Sequence, residues 1–337
     1  MYVLMYNIPE LSTKMKQFGE YKLASYKNQN IDNGVFRSII YKNDKIVCFS
    51  PPKSIDYTEF KENCDISTII ADEFIDGTMI NVFYDDKWNI ATRTIVGADC
   101  TFYSTKTFHD MFHETNINYD LLDKQLCYSF VLQHPENQIV VPIQTPTLYL
   151  IACYQIQDNV VISHPLPTYF NIPKQYTFSS YEEIEQFVQE QPYTFKGMML
   201  KCDTKRSKIR NSAYEKIKKL RGNSPNMRYV YYTIRESELK HEYETYFPNT
   251  EFEVYEKEIQ SIIQLLYSNY VECFIKKVKE LRMYKFPMKH HMNELHMIYK
   301  NTLKPQKKYV NKKVVVDYVN SMDPVQLLHW MNSLIKT

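Results

Sequence analysis

Ile69-Ile-Ala-Asp-Glu-Phe-Ile-Asp-Gly-Thr-Met-Ile-Asn-Val-Phe-Tyr84, continuing as Asp85-Asp-Lys-Trp-Asn-Ile-Ala-Thr-Arg-Thr-Ile-Val-Gly97, has the residue pattern of a β-hairpin. Apolar and β-branched residues fill Thr78 to Tyr84, Asp85-Asp86-Lys87 supply a polar turn, and a second strand-type run extends from Trp88 to Val96. A tight Asp76-Gly77 pair precedes the first strand, with Phe74 two residues before the aspartate.

Working outward, Arg37 to Tyr41 and Ile46 to Phe49 flank Lys42-Asn-Asp-Lys45 and form another hairpin, stopped by Pro51-Pro52 before Lys53. Asp56 and Glu59 mark a helix start. The segment Thr105 to Leu122 carries helical spacing. In it His109 and His113 stand four apart beside Asp110 and Glu114, a spacing that suits either one metal-binding face or an ordinary surface helix. Tyr128–Gln133, a turn at His134–Asn137 and Gln138–Val141 read as a strand pair. Leu148–Ile156 and Asn159–Ile162 read as another. Ser180 to Gln189 is an acidic helix capped by Ser180. Strands over Lys196–Lys201 and Ser207–Arg210 lead to a basic helix, Ala213–Leu220, closed by Gly222. After about residue 225 helical periodicity takes over. A long apolar stripe spans Glu253–Lys285, and shorter helices cover Lys289–Lys300, Val314–Asn320 and the segment from Asp323-Pro324 onward. The reading is therefore α+β: an antiparallel-sheet domain at 1–224 and an all-helical domain at 225–337.

The bulk numbers exclude several function classes. Six glycines in 337 residues, with no G-x-G-x-x-G or G-x-x-x-x-G-K-[ST], leave no dinucleotide fingerprint or P-loop. Seven scattered cysteines without C-x-x-C argue for free thiols in a reducing compartment. No signal peptide and no long apolar run is present, so an intracellular protein is expected, in host cytoplasm or virion, with no membrane partner. The abundance of Tyr, Lys, Asn and Ile is what AT-rich codon usage gives, as in large DNA viruses. The net charge of +2 hides an asymmetry. Residues 1–195 hold 14 Lys+Arg against 24 Asp+Glu, and residues 196–337 hold 27 against 15. Basic residues cluster at 196–221 and 276–313, which points to a polyanion; a solvated helix face is the plainer alternative.

The order of these pieces resembles the phage-type RNA ligases and other covalent nucleotidyltransferases, including relatives in large DNA viruses. Arg37 and Pro52-Lys53 sit where that family has an Arg-bearing strand and a Pro-Lys element. Asp76-Gly77 matches the end of its Lys-x-Asp-Gly motif, and Trp88-Asn-Ile-Ala-Thr-Arg-Thr its next strand. Phe130 to Val141, Gly197 to Lys201 and Lys208-Ile-Arg210 before Tyr214 match three further segments. The resemblance implies a nucleotidyltransferase fold over 36–223. It also implies a lysine that attacks the α-phosphate of ATP or GTP, with carboxylates for ribose and metal. Here Phe74 stands in the nucleophile's place, Val131 replaces one glutamate and Lys196 the other. The implied reading is a catalytically degenerate RNA-ligase-like protein. It keeps the nucleotide- or phosphate-facing set Arg37, Lys53, Asp76, Gly77, Lys201, Lys208 and Arg210. It binds RNA through Lys216, Lys218, Lys219, Arg221, Lys276, Lys277 and Lys279, extended by Lys307, Lys308, Lys312 and Lys313. Two alternatives stand beside it. One is an active ATP-dependent RNA ligase with a relocated lysine (Lys53, Lys201 or Lys208), which alone would need ATP and Mg or Mn. The other is a viral structural scaffold that binds other viral proteins.

Overall fold

Most strands of the first part of the chain are buried along much of their length, and the hairpins expected around Lys42–Lys45 and Asp85–Lys87 form. In the computed structural model, which describes residues 5–7, 15–26, 36–158 and 160–335, the chain divides into two units, Met1–Arg221 and Gly222–Thr337. In the first unit every strand pairing among the described residues is antiparallel. A six-stranded sheet has the order β1 (Met5–Asn7), β11 (Val160–His164), β10 (Thr147–Gln157), β9 (Leu126–Gln133), β7 (Thr78–Asp85) and β8 (Lys87–Ala91). A second sheet has the order β12 (Gln175–Tyr176), β6 (Ile70–Glu73), β13 (Gly197–Cys202) and β14 (Lys205–Arg210). The third is the meander β2 (Met15–Phe18), β3 (Tyr21–Ser25), β4 (Ser38–Lys42) and β5 (Lys45–Phe49). The β4–β5 turn places Asn43 and Asp44 at φ 49° and 60°, the left-handed pair that a two-residue hairpin needs and that Asn and Asp tolerate.

Helices α1 (Tyr57–Asn63, capped by Asp56) and α3 (Tyr181–Glu190, capped by Ser180) lay Phe60, Ile184 and Val188 against Met198, Leu200 and Ile209 of β13 and β14. The opposite face of that hairpin is thereby left to Met199, Lys201, Arg206, Lys208 and Arg210, because side chains alternate along a strand. The basic helix α4 spans Ser212–Arg221. Between the meander and the large sheet runs a buried polar chain: Asn81 donates to Ser50 Oγ at 2.8 Å, Ser50 lies 2.7 Å from Ser38, and Ser129 donates to Asn81 at 2.8 Å.

Two expected elements of this unit are shorter than the pattern predicts, and a third does not form. The strand from Trp88 ends at Ala91, because Thr92 Oγ1 accepts from the amides of Thr94 and Ile95 and turns the chain, leaving a single bridge between Ala91 and Val96. The Thr105–Leu122 helix is only α2, Phe108–His113; Asn116 then takes φ 51° and breaks it. Gln138–Val141 is no strand, since the amides of Val140 and Val141 turn to a carboxylate instead of a neighbouring strand. The partner strand to β10 forms as β11; Asn159 lies outside the described residues.

The second unit has no strand among its described residues. It consists of α5 (Met227–Ile234), α6 (Leu239–Tyr246), α7 (Phe252–Tyr270), α8 (Met288–Ile298), α9 (Lys312–Asn320) and α10 (Pro324–Ile335) around Tyr231, Tyr243, Ile263, Leu295 and Trp330. The apolar stripe expected to reach Lys285 stops at Tyr270. There a π-turn, Val271–Ile275, closes with Lys276 N on Val271 O, and Val278 is 68% exposed. The expected α+β class is what the chain adopts. All seven cysteines are free, and no helix among the described residues is long and apolar enough to cross a membrane.

Gly197 has φ 140°, and a Cβ there would lie 2.0 Å from Ile209 O, against backbone that cannot yield. Gly197→Ala is expected to lower stability by about 3 kcal/mol in urea unfolding. Gly19→Ala, where φ is also positive at 56° but a Cβ meets nothing within 4 Å, should cost only the backbone strain of about 1 kcal/mol; equal losses would show that contact at Gly197 is unimportant.

Candidate functional site

Residues Phe74–Gly77 join β6 to β7, and Gly77 passes so close to β9 that a Cβ would lie 2.4 Å from Leu132 O. This closeness is a backbone demand, so the glycine expected to face phosphate is accounted for by packing. Asp76 is 6% exposed. Its carboxylate accepts from the amides of Val140 (3.1 Å) and Val141 (3.2 Å) and from the Tyr214 hydroxyl (2.7 Å), and Lys196 Nζ lies 3.4 Å away. Its carbonyl accepts from Gln133 Nε2. The carboxylate of Asp76, expected in the nucleotide- or phosphate-facing set, is therefore engaged by groups of the protein itself.

Lys196 enters this knot from the residue before β13. Its Nζ donates to Ile75 O at 3.2 Å and stands 4.0 Å from the centre of the Phe74 ring. Burial pushes its pKa down to about 8, against the raising effect of Asp76. Burial and the adjacent Asp76 push Tyr214 up. Reading Lys196 from sequence only as the replacement of a glutamate misses this: its ammonium ends beside the Phe74 ring. No sequence pattern reports that proximity, because 122 residues separate the two positions.

Divalent metal does not fit here. Asp76 is capped as described, Asp72 is held by Lys201 at 2.6 Å, and Glu73 is half-buried with its pKa raised by burial. Elsewhere, His109 and His113 rings lie 4.5 Å apart, but His109 and Asp110 bond each other and gain no third ligand. A different trio, Glu114, His134 and Glu136, brings its ligand atoms within 4.8 Å, and there the Lys106 ammonium already bonds both glutamates.

The remaining cations gather on one face. Arg37 has its pKa lowered to about 10 by burial and by the charges of Arg206 and Arg93, and its Nε is buried with no hydrogen-bond partner. Lys53 is lowered by burial, Arg37 and Arg93. Lys208 is lowered by burial and by Arg210, Arg37, Lys218 and Arg206. Like charges this close depress one another, since each raises the cost of its neighbour's charge. Next to this set a cleft of about 600 Å³ opens between the large sheet and β6–β13–β14, lined by Asp72, Tyr154, His164, Lys201, Lys205 and Arg206. Arg93 and Arg206 belong to the set although the sequence reading passed over them. The alternation of β14 could have found Arg206, on the same face as Lys208.

Other expected positions are placed differently. Lys201 is tied to Asp72, and Arg210 donates to Glu215 at 2.7 Å. Arg221, expected at an RNA surface, is 7% exposed with its guanidinium 4.1 Å from the Tyr103 ring centre. Lys216 and Lys219 are exposed on α4, and Lys218 is half-buried. In the second unit Lys276 and Lys277 are exposed, while Lys279 pairs with Glu272 at 2.7 Å.

The displaced pKa of Lys196 gives a pH signature. Unfolded, its amine keeps its proton up to the ordinary 10.5; folded, it releases it near 8. Between those values the unfolded chain binds more protons, so stability contributed at this position rises with pH. Wild-type protein should gain stability relative to Lys196→Met from pH 8 to 10 in urea titrations, and a constant difference would refute the shift.

No protein-family model matches the chain. It is 24% identical over 233 residues to an immediate-early protein ICP-46 homolog of Invertebrate iridescent virus 3, covering 63% of this chain and 50% of that protein. It is 31% identical over 102 residues to an RNA ligase of Rhodothermus phage RM378, covering 26% of this chain and 23% of that protein. The chain thus spans half or less of the length of these relatives. Among solved structures, an archaeal ATP-dependent RNA ligase matches with a TM-score of 0.43 at 12% identity, over 81% of this chain and 76% of that one. The chain is thus similar in sequence to two viral proteins, one of them named an RNA ligase.

Proposed function

We propose that this protein binds RNA through its phosphates at the cationic face of the first unit, as an RNA-ligase-like protein that has lost ligation at position 74. The observation that carries the reading is Arg37: a mostly buried guanidinium, with an unpartnered Nε, held among Arg93, Arg206, Lys53 and Lys208. A phosphate there relieves repulsion that the free protein bears. Phenylalanine at 74 supplies no amine, and the carboxylates nearby are engaged by protein groups. Such binding follows counterion release, so affinity for single-stranded RNA should fall steeply with salt. Arg206→Ala and Lys208→Ala should each reduce the slope of log K against log salt by roughly 0.7. Filter binding between low and physiological salt checks this, and a slope unchanged in both variants sinks the assignment.

One observation favours a second reading, in which the reactive lysine has moved. The amine of Lys196 lies against Phe74 and sheds its proton at lower pH than an ordinary lysine. In this reading the neutral amine forms a nitrogen–phosphorus bond at the α-phosphate of ATP, the bond to pyrophosphate breaks, and the surplus amine proton passes to Asp76. The first reading expects no labelled protein after incubation with α-labelled ATP and Mg²⁺ or Mn²⁺ on a denaturing gel. A labelled band that disappears in Lys196→Arg and persists in Lys53→Ala would establish the second.

A further inference from the structure

Five rings in the second unit form a continuous column. Tyr270, 2% exposed, meets Phe274 at 4.9 Å between centroids. Phe274 stacks on His296 at 4.0 Å and 13°, His296 on Tyr299 at 5.8 Å and 28°, and Tyr299 on Tyr309 at 6.5 Å and 19°. The inner end is fixed, since the Tyr270 hydroxyl lies 3.3 Å from His296 Nδ1. Burial and Lys300 lower the pKa of His296, so its ring is a neutral member of the stack near pH 7. The outer end is open: Tyr309 is 74% exposed. It is displayed there by its neighbours. Lys307 takes φ 56°, Lys308 N bonds Leu303 O, and Val310, 4% exposed, anchors the chain just beyond.

The stretch of chain around Tyr309 carries one sign of charge. From residue 295 to 316 there is no acidic residue, while Lys300, Lys304, Lys307, Lys308, Lys312 and Lys313 are all exposed. None of the six makes an ion pair among the described residues. Lys312 and Lys313 occupy the first turn of α9, the positive end of its dipole, where lysine is unfavourable unless an anion lies close by. Between 299 and 313 the exposed residues other than Tyr309 are Lys, Asn, Thr, Pro and Gln, with no aliphatic patch for a lipid or an apolar protein groove. An open aromatic face at the end of a parallel stack, ringed by unpaired cations, matches an unpaired base with phosphates on either side.

We infer that Tyr309 is a base-stacking platform for single-stranded RNA, on which a nucleobase extends the column while Lys304, Lys307, Lys308, Lys312 and Lys313 neutralise the flanking phosphates. The inference rests on the RNA-binding reading above and adds to it a second, separate site of different chemistry.

The test uses the full chain and an unstructured RNA of about 12 nucleotides carrying 2-aminopurine, whose fluorescence is quenched when it stacks on an aromatic ring. Wild-type protein should quench it. Tyr309→Ala should weaken binding about tenfold and lose the quench, Tyr309→Trp should keep both, and affinity for duplex RNA should not change in either variant. Tyr309 is largely exposed, so the alanine variant has no core to lose. Unchanged affinity and quench in Tyr309→Ala overturn the platform. If Arg206→Ala still weakens binding and lowers its salt slope in that case, the site in the first unit stands alone; if wild-type protein binds no RNA, both assignments fall.

Discussion

A single buried carboxylate holds the first unit's working face in place. Asp76 gathers the amides of Val140 and Val141, the hydroxyl of Tyr214 and the amine of Lys196, and so joins the turn before β7, the irregular segment after β9, the entry to β13 and the start of α4. A charge this deeply buried persists only when its lone pairs are filled and a cation stands near. Both conditions hold. The lysine that meets the second stands where the family resembled has a glutamate, and here it supplies a structural counter-charge.

The cations beyond that knot follow the opposite logic. Around Asp76 opposite charges cancel; around Arg37 like charges accumulate, and burial makes their repulsion more costly than it would be in water. The second unit spreads its lysines on exposed surface instead, where salt screens them and each contributes less. The chain thus contains two kinds of electrostatics: a concentrated, partly desolvated set drawn from both halves of the sequence, and a diffuse field around an aromatic stack.

Much of the frame was legible in the sequence because its signals are local. The Asn43-Asp44 turn, the caps at Asp56 and Ser180, and the alternation in β14 each depend on residues within a few positions of one another. The failures lie where a distant group decides. Gln138–Val141 has strand-forming residues, and only the carboxylate of Asp76, far back in the chain, diverts its amides. The stripe toward Lys285 has helical period, yet a π-turn rotates the register and Val278 faces solvent. In the candidate site, Lys53 and Lys208 were readable as cations by position. The burial of Arg221 on Tyr103 and the approach of Lys196 to Phe74 were not, since periodicity carries no information about contacts across elements.

The polar chain Ser38–Ser50–Asn81–Ser129 has a consequence for how such a frame assembles. Its members come from β4, the exit of β5, β7 and β9, and each bond requires one alignment of the meander against the large sheet. An apolar layer would tolerate sliding by two residues with little loss, whereas here a slip leaves an amide and hydroxyls dehydrated without partners. The chain acts as a proofreading element for sheet register, independent of anything the cleft binds. Because Phe74 is not one of its members, the alignment it sets does not depend on which side chain stands at position 74.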